Sequence, residues 1–127
     1  MDSSRERLNG ITEAIIGCAH KVSNTLGNGF LEKVYENALA FELTQHGLPV
    51  EQQRPIKVHY RGTLVGEFTA DLLVDSSVIV ELESVKALDE IHTAQCLNYL
   101  KATGLKICLL LNFGSPKVTV KRIVLDF

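Results

Sequence analysis

The stretch FTADLLVDSSVIVELE, residues 68–83, decides the fold. Phe68, Ala70, Leu72 and Val74 alternate with Thr69, Asp71, Leu73 and Asp75; beyond Ser76-Ser77, Val78, Val80 and Leu82 alternate with Ile79, Glu81 and Glu83. A period of two is the mark of a strand with one face on a core, so two strands are expected, each with a wholly apolar face. Side chains two apart project the same way, which puts Glu81 and Glu83 together, opposite Val80 and Leu82. Asp71 joins them in one register only. A loop of Asp75-Ser76-Ser77 closing on Val74 and Val78 sets Asp71 opposite Glu81, whereas a loop one residue shorter sets it opposite Leu82. The longer loop is the expectation, and it brings three acids into an apolar setting.

Upstream, Glu51 to Tyr60 alternates Ile56, Val58 and Tyr60 with Lys57 and His59, and Arg61-Gly62 makes a turn back through Leu64, Val65 and Gly66 into residues 68–83. Three antiparallel strands in a meander follow from this. Before them stand two helices. Leu8, Ile11, Ile15, Cys18, Val22 and Leu26 recur every three or four residues from about Ser4, and Gly27 ends that stripe. Phe30 to about His46 is the second helix, with Leu31, Val34, Ala38 and Phe41 on one line and Glu32, Tyr35, Leu39 and Leu43 on the next. Glu32 thus begins a stripe that otherwise points inward. With Gly29 as N-cap, Glu32 falls at the third helical position, where it also suits the helix dipole, so periodicity leaves cap and site both open.

Downstream, a third helix runs from about Leu88 to Thr103, stopped by Gly104, with His92, Gln95 and Tyr99 sharing a face. Lys106 to Asn112 is a continuous apolar run that fits a central strand buried on both faces, and Val118 to Leu125 completes the sheet. A helix between two strands of one sheet brings the second in parallel. The order helix, helix, three strands, helix, two strands therefore predicts an α/β fold with a mixed sheet.

The chain has 127 residues, read as a single domain over 1–127, with 46% apolar residues and a net charge of −2. Attraction of the whole molecule to nucleic acid is not indicated, so any such grip is local. Arg54, Lys57, His59 and Arg61 form one basic cluster and Lys117, Lys121 and Arg122 another. The longest apolar run, Ile107 to Leu111, is too short to span a bilayer, and Met1 to Gly10 is polar, without a signal-peptide core. A cytoplasmic location with no membrane partner is expected. Cys18, Cys96 and Cys108 lie in no metal-binding spacing and read as buried free thiols. His20 is assigned no role.

Gly29-Phe30-Leu31-Glu32-Lys33-Val34-Tyr35 resembles the motif of the GxxExxY protein family, and the likeness runs from about Leu8 to Val124. That family is similar to a small, RecB-like branch of the PD-(D/E)XK nuclease superfamily. The resemblance implies a restriction-endonuclease-like α-β-β-β-α-β core, with an extra N-terminal helix and a C-terminal strand. It also implies a role for particular positions. The acid of the leading helix falls on Glu32, the strand acid on Asp71, the third acid on Glu81, and the helical Gln-x-x-x-Tyr on Gln95 and Tyr99; His92 looks like a family position too. Where the pattern has lysine two residues after the third acid, this chain has Glu83.

Two readings of function are carried by the resemblance. One is a metal-dependent nuclease in which Glu32, Asp71 and Glu81 hold Mg²⁺ or Mn²⁺, hard cations that prefer carboxylate oxygen. Glu83 then replaces the lysine, with Lys86 a candidate to swing an ammonium back. The other is a catalytically degenerate member, marked by Glu83, that binds nucleic acid or protein. The implied partner is nucleic acid, DNA ahead of RNA, and a chain this small makes a homodimer a further expectation. The mutual repulsion of four gathered acids should either raise some of their pKa values or draw in a metal more strongly.

Overall fold

The computed structural model describes residues 3–127, so the first two residues of the polar start lie outside the described residues. The elements run α1 (Ser3–Leu26), α2 (Glu32–Gln45), β1 (Val50–Tyr60), β2 (Thr63–Val74), β3 (Val78–Glu83), α3 (Glu90–Thr103), β4 (Ile107–Asn112) and β5 (Thr119–Val124). The strands form one mixed sheet in the order β1-β2-β3-β4-β5, antiparallel except for the β3–β4 pair. This is the expected α/β architecture, with α3 serving as the crossover that makes β3 and β4 parallel. None of the described helices is long and apolar enough to cross a membrane.

Two apolar layers cover the sheet. Ile11, Ile15, Tyr35 and Leu39 of α1 and α2 pack on Leu72, Val80, Leu82 and Leu109. Cys96, Tyr99 and Leu100 of α3 pack on the other face, against Ile79, Cys108 and Leu110. β4 is buried along its whole length, as its unbroken apolar run required. The three cysteines are buried free thiols.

The β2–β3 turn closes on Val74↔Val78, the register that brings Asp71 level with Glu81. Strict alternation along β2 does not survive, however. Ala70 packs in the α3 layer, while Leu72 packs in the α1–α2 layer. The two would share a face in a regular strand. The change of phase falls at Asp71, and the residue level with it on β1, Gln53, has φ +53°, between the paired rungs Gln52↔Leu72 and Arg54↔Ala70. A non-glycine residue in the left-handed region inside a strand marks a local kink.

In α2 the stripe that Glu32 begins points inward, as expected, and the apolar line beside it is in large part left to solvent. Tyr35, Leu39 and Leu43 are buried, whereas Leu31 is 81% exposed and Phe41 61%. The N-cap is Leu31, without a side-chain cap bond, so Glu32 is the first helical residue and not the third. What fixes the start of the helix is Tyr35. Its hydroxyl donates to Gly27 O at 2.7 Å and accepts from Phe30 N at 3.2 Å, and its ring stacks on Phe113 at 4.6 Å. Gly29, at φ +113°, takes a backbone conformation that side chains disfavour. The Gly-x-x-Glu-x-x-Tyr spacing is thus a pinned turn that delivers Glu32.

Candidate active site

β2 and β3 are paired only from Leu72↔Val80 to Val74↔Val78, and beyond those rungs they are joined through carboxylates. The Asp71 N–H donates to Glu81 Oε2 at 2.7 Å, and the Leu82 N–H donates to Asp71 Oδ2 at 2.8 Å. Side chains take the place of backbone acceptors, so the strands part while their polar groups stay paired. The two acids are clasped at the mouth of that opening, Glu81 being only 6% exposed.

The helices supply the remaining candidates. Glu32, at the start of α2, is close enough for its charge to act on Asp71 and Glu83, and it accepts a backbone hydrogen bond from Ser84. The segment that carries Ser84 is itself held by Asn112. Its Oδ1 accepts from Val85 N and Gly114 N, and its Nδ2 donates to Val85 O. Gly114 has no room for a side chain there, since an added Cβ would lie 2.2 Å from Val85 O. On α3, Gln95 Nε2 lies 2.7 Å from the Tyr99 hydroxyl and donates to Glu81 Oε1 at 3.3 Å. The expected Gln-Tyr pair therefore meets the strand acids. His92 closes the α3 capping box, its Nδ1 accepting from Asp89 N at 3.1 Å, and its Nε2 stands 3.8 Å from Glu83 Oε1. The same Nδ1 lies 3.2 Å from Asp89 Oδ1.

The electrostatics are those of acids crowded out of water. Glu81 is pushed up from 4.5 to about 9, by burial first and then by the charge of Asp71. Burial also raises Glu32, with Asp71 adding to it, and raises Glu83, with Glu32 adding to it. Asp71 is raised by burial, against the Leu82 hydrogen bond and the positive charge of Lys33. All four acids are raised, burial being the largest cause at each, and the charges of neighbouring carboxylates, Glu36 in the case of Asp71, add to it.

Hard carboxylate oxygens whose negative charges oppose one another suit a divalent cation by chemistry. Among the described residues, however, no three His, Cys, Asp or Glu side chains are already grouped so as to hold one. The clasp accounts for part of this, since Asp71 Oδ2 and both oxygens of Glu81 are engaged by N–H groups.

Sequence reasoning missed a second line of polar residues beside the acids. Glu36, 4% exposed, accepts from Lys33 Nζ at 3.1 Å, Gln52 Nε2 at 2.7 Å and Gln53 Nε2 at 2.8 Å. The same Gln53 nitrogen lies 3.5 Å from Asp71 Oδ1. Glu36 stands four residues after Glu32, so helical spacing was the available signal. Lys86 is exposed on the segment after β3. The ammonium that acts on Asp71 comes instead from Lys33, the residue next to Glu32.

Residues 9–123 match the family model described as the PD-(D/E)XK nuclease superfamily. Among solved structures, the crystal structure of SSO0001 aligns with a TM-score of 0.58 at 12% identity, covering 76% of this chain and 51% of that one. This chain thus spans about half the length of that protein. An alkaline exonuclease from Laribacter hongkongensis, LHK-Exo, aligns with a TM-score of 0.49 at 14% identity, over 85% of this chain and 76% of that one. No curated protein matches by sequence.

Proposed function

The chain belongs to the PD-(D/E)XK nuclease superfamily, and from that premise we propose that it is a metal-dependent nuclease of the GxxExxY branch, cleaving DNA phosphodiesters with Glu32, Asp71 and Glu81 as metal ligands. The observation that carries this reading is the clasp of Asp71 and Glu81 at the split between β2 and β3, with Glu32 and Glu83 within electrostatic reach.

Mg²⁺ or Mn²⁺ held there would neutralise phosphate charge and activate water for attack. The chain's own groups do the rest. Leu82 N–H and Gln95 aim the carboxylates of Asp71 and Glu81, and Tyr99 holds Gln95 in place. Lys33 supplies the cation that the position of Glu83 does not, stabilising charge that develops on the phosphate. His92 stands beside Glu83 and restrains it. We place the work in the cytoplasm, where buried thiols such as Cys96 and Cys108 stay reduced.

Glu83, standing where the motif has lysine, also favours a second reading, a binding protein that has lost cleavage. The deciding experiment is cleavage of labelled single-stranded and duplex DNA in Mg²⁺ and Mn²⁺ by the wild type and Asp71→Asn. Metal-dependent cleavage that disappears with Asp71→Asn is the expected result. Binding without cleavage by either protein selects the second reading.

A further inference from the structure

A groove of about 870 Å³ opens between the β1–β2 hairpin and α3, beside the acids. Ile91, Gln95, Asn98 and Lys101 line it from one face of α3, and Phe68 and His59 line it from the hairpin. Gln95 belongs to both places, since it lines the groove while its Nε2 bonds Glu81 and Tyr99. Two features are left unexplained by the packing of the fold. Phe68 is 53% exposed although its ring lies 5.9 Å from that of Tyr99, and Ile91 is 73% exposed. The groove is also graded in charge, with Lys101 and His59 on its walls and the carboxylates past Gln95.

We propose that this groove binds a single strand of nucleic acid, its bases lying against Phe68 and Ile91 and its phosphates drawn by Lys101 and His59, and that it leads the strand to the acids. The inference rests on the nuclease reading for its direction but not for its test. Apolar and aromatic walls recognise base faces, which a single strand exposes and a duplex keeps stacked within itself. An apolar peptide would satisfy the walls but leave the Lys101 ammonium without a partner. From Ile91 to Lys101 the helix advances about 15 Å along the groove. Asn98, on the same helical face, offers an amide to base edges.

The test is fluorescence anisotropy in EDTA, where cleavage cannot interfere, with a labelled 12-mer of deoxythymidine, an abasic 12-mer and a 12-base-pair duplex. Expected is a preference for the thymidine strand over both others, with Phe68→Ala weakening that strand at least about fivefold and Phe68→Trp restoring it. Lys101→Glu should weaken binding and flatten its salt dependence. Circular dichroism melts of each variant separate loss of binding from loss of fold. Equal binding of abasic and thymidine strands, preference for duplex, no binding by the wild type, or a well-folded Phe68→Ala that binds like wild type would overturn the groove assignment. Absence of cleavage when Mn²⁺ is added would count against the nuclease and leave the groove result standing.

Discussion

The backbone N–H of Asp71 donates to the carboxylate of Glu81 at 2.7 Å, one residue beyond the last paired rung of β2 and β3. A ladder ends there and a pair of acids begins. The reciprocal bond, Leu82 N–H to Asp71 Oδ2, makes each acid part of the other strand's hydrogen bonding. The same carboxylates therefore serve the fold and are available to chemistry, and substitutions at them must be read with both roles in view.

Stability should fall as pH rises. The Glu81 carboxyl is raised from 4.5 to about 9 in the folded state, so it contributes stability that is complete below 4.5 and is lost as pH climbs through about 9. One such group removes up to about 1.4 kcal/mol per pH unit across that window. Urea midpoints at pH 5, 7 and 9 in EDTA should decline for the wild type and flatten for Glu81→Gln, which keeps an oxygen for Asp71 N–H and gives up the acceptor that Gln95 uses. An equally steep decline in the variant would assign the effect to other groups.

Asp71→Asn and Asp71→Ala should part company. The amide keeps an oxygen for Leu82 N–H and removes a buried negative charge, so Asn leaves stability unchanged or raised without metal. Ala strands that N–H, at a cost of about 1–3 kcal/mol. We expect both to lose cleavage by at least about 100-fold. Equal stability of the two, by chemical denaturation, would mean that the Leu82 bond contributes nothing.

Lys33 and Glu83 should compensate for each other. Removing the ammonium in Lys33→Met is expected to reduce cleavage by about 10- to 100-fold. Glu83→Lys takes away one of the crowded acids and puts a cation near Glu32, so it should stabilise the fold and raise the rate. In the double variant Glu83→Lys should recover most of what Lys33→Met lost. Strict additivity of the two effects on the rate would show that Lys33 does not occupy the role of the motif lysine.

Tyr35→Phe keeps the ring against Phe113 but deletes the bonds to Gly27 O and Phe30 N. Since the hydroxyl is buried, about 1–3 kcal/mol should be lost, with the α2 start loosened. Hydrogen exchange at residues 28–33 is the sensitive measurement. Faster exchange confined to that turn is expected, and an unchanged profile would remove Tyr35 as the anchor of Glu32.

Much of this was legible in the sequence because it is local. Period two wrote β2 and β3, the length of the Asp75–Ser77 loop set their register, and the unbroken run at 107–111 required a strand buried on both faces. The same reasoning put Asp71 level with Glu81 and put Gln95 and Tyr99 on one face of a helix. It failed where a residue's surroundings come from far along the chain. Leu31 and Phe41 follow an apolar spacing yet face solvent, because which side of α2 meets the sheet is settled by packing against α1 and by Tyr35 on Phe113, 78 positions away. Glu36 is buried because Gln52 and Gln53 reach it across the α2–β1 join. The kink at Gln53, the phase change at Asp71 and the parting of β2 from β3 follow from a competition between backbone and side-chain hydrogen bonds. Composition and spacing determined which acids this protein has and on which elements; only the tertiary structure decided that two of them would replace a rung of the sheet, since that outcome depends on which donors stand opposite once the strands have met.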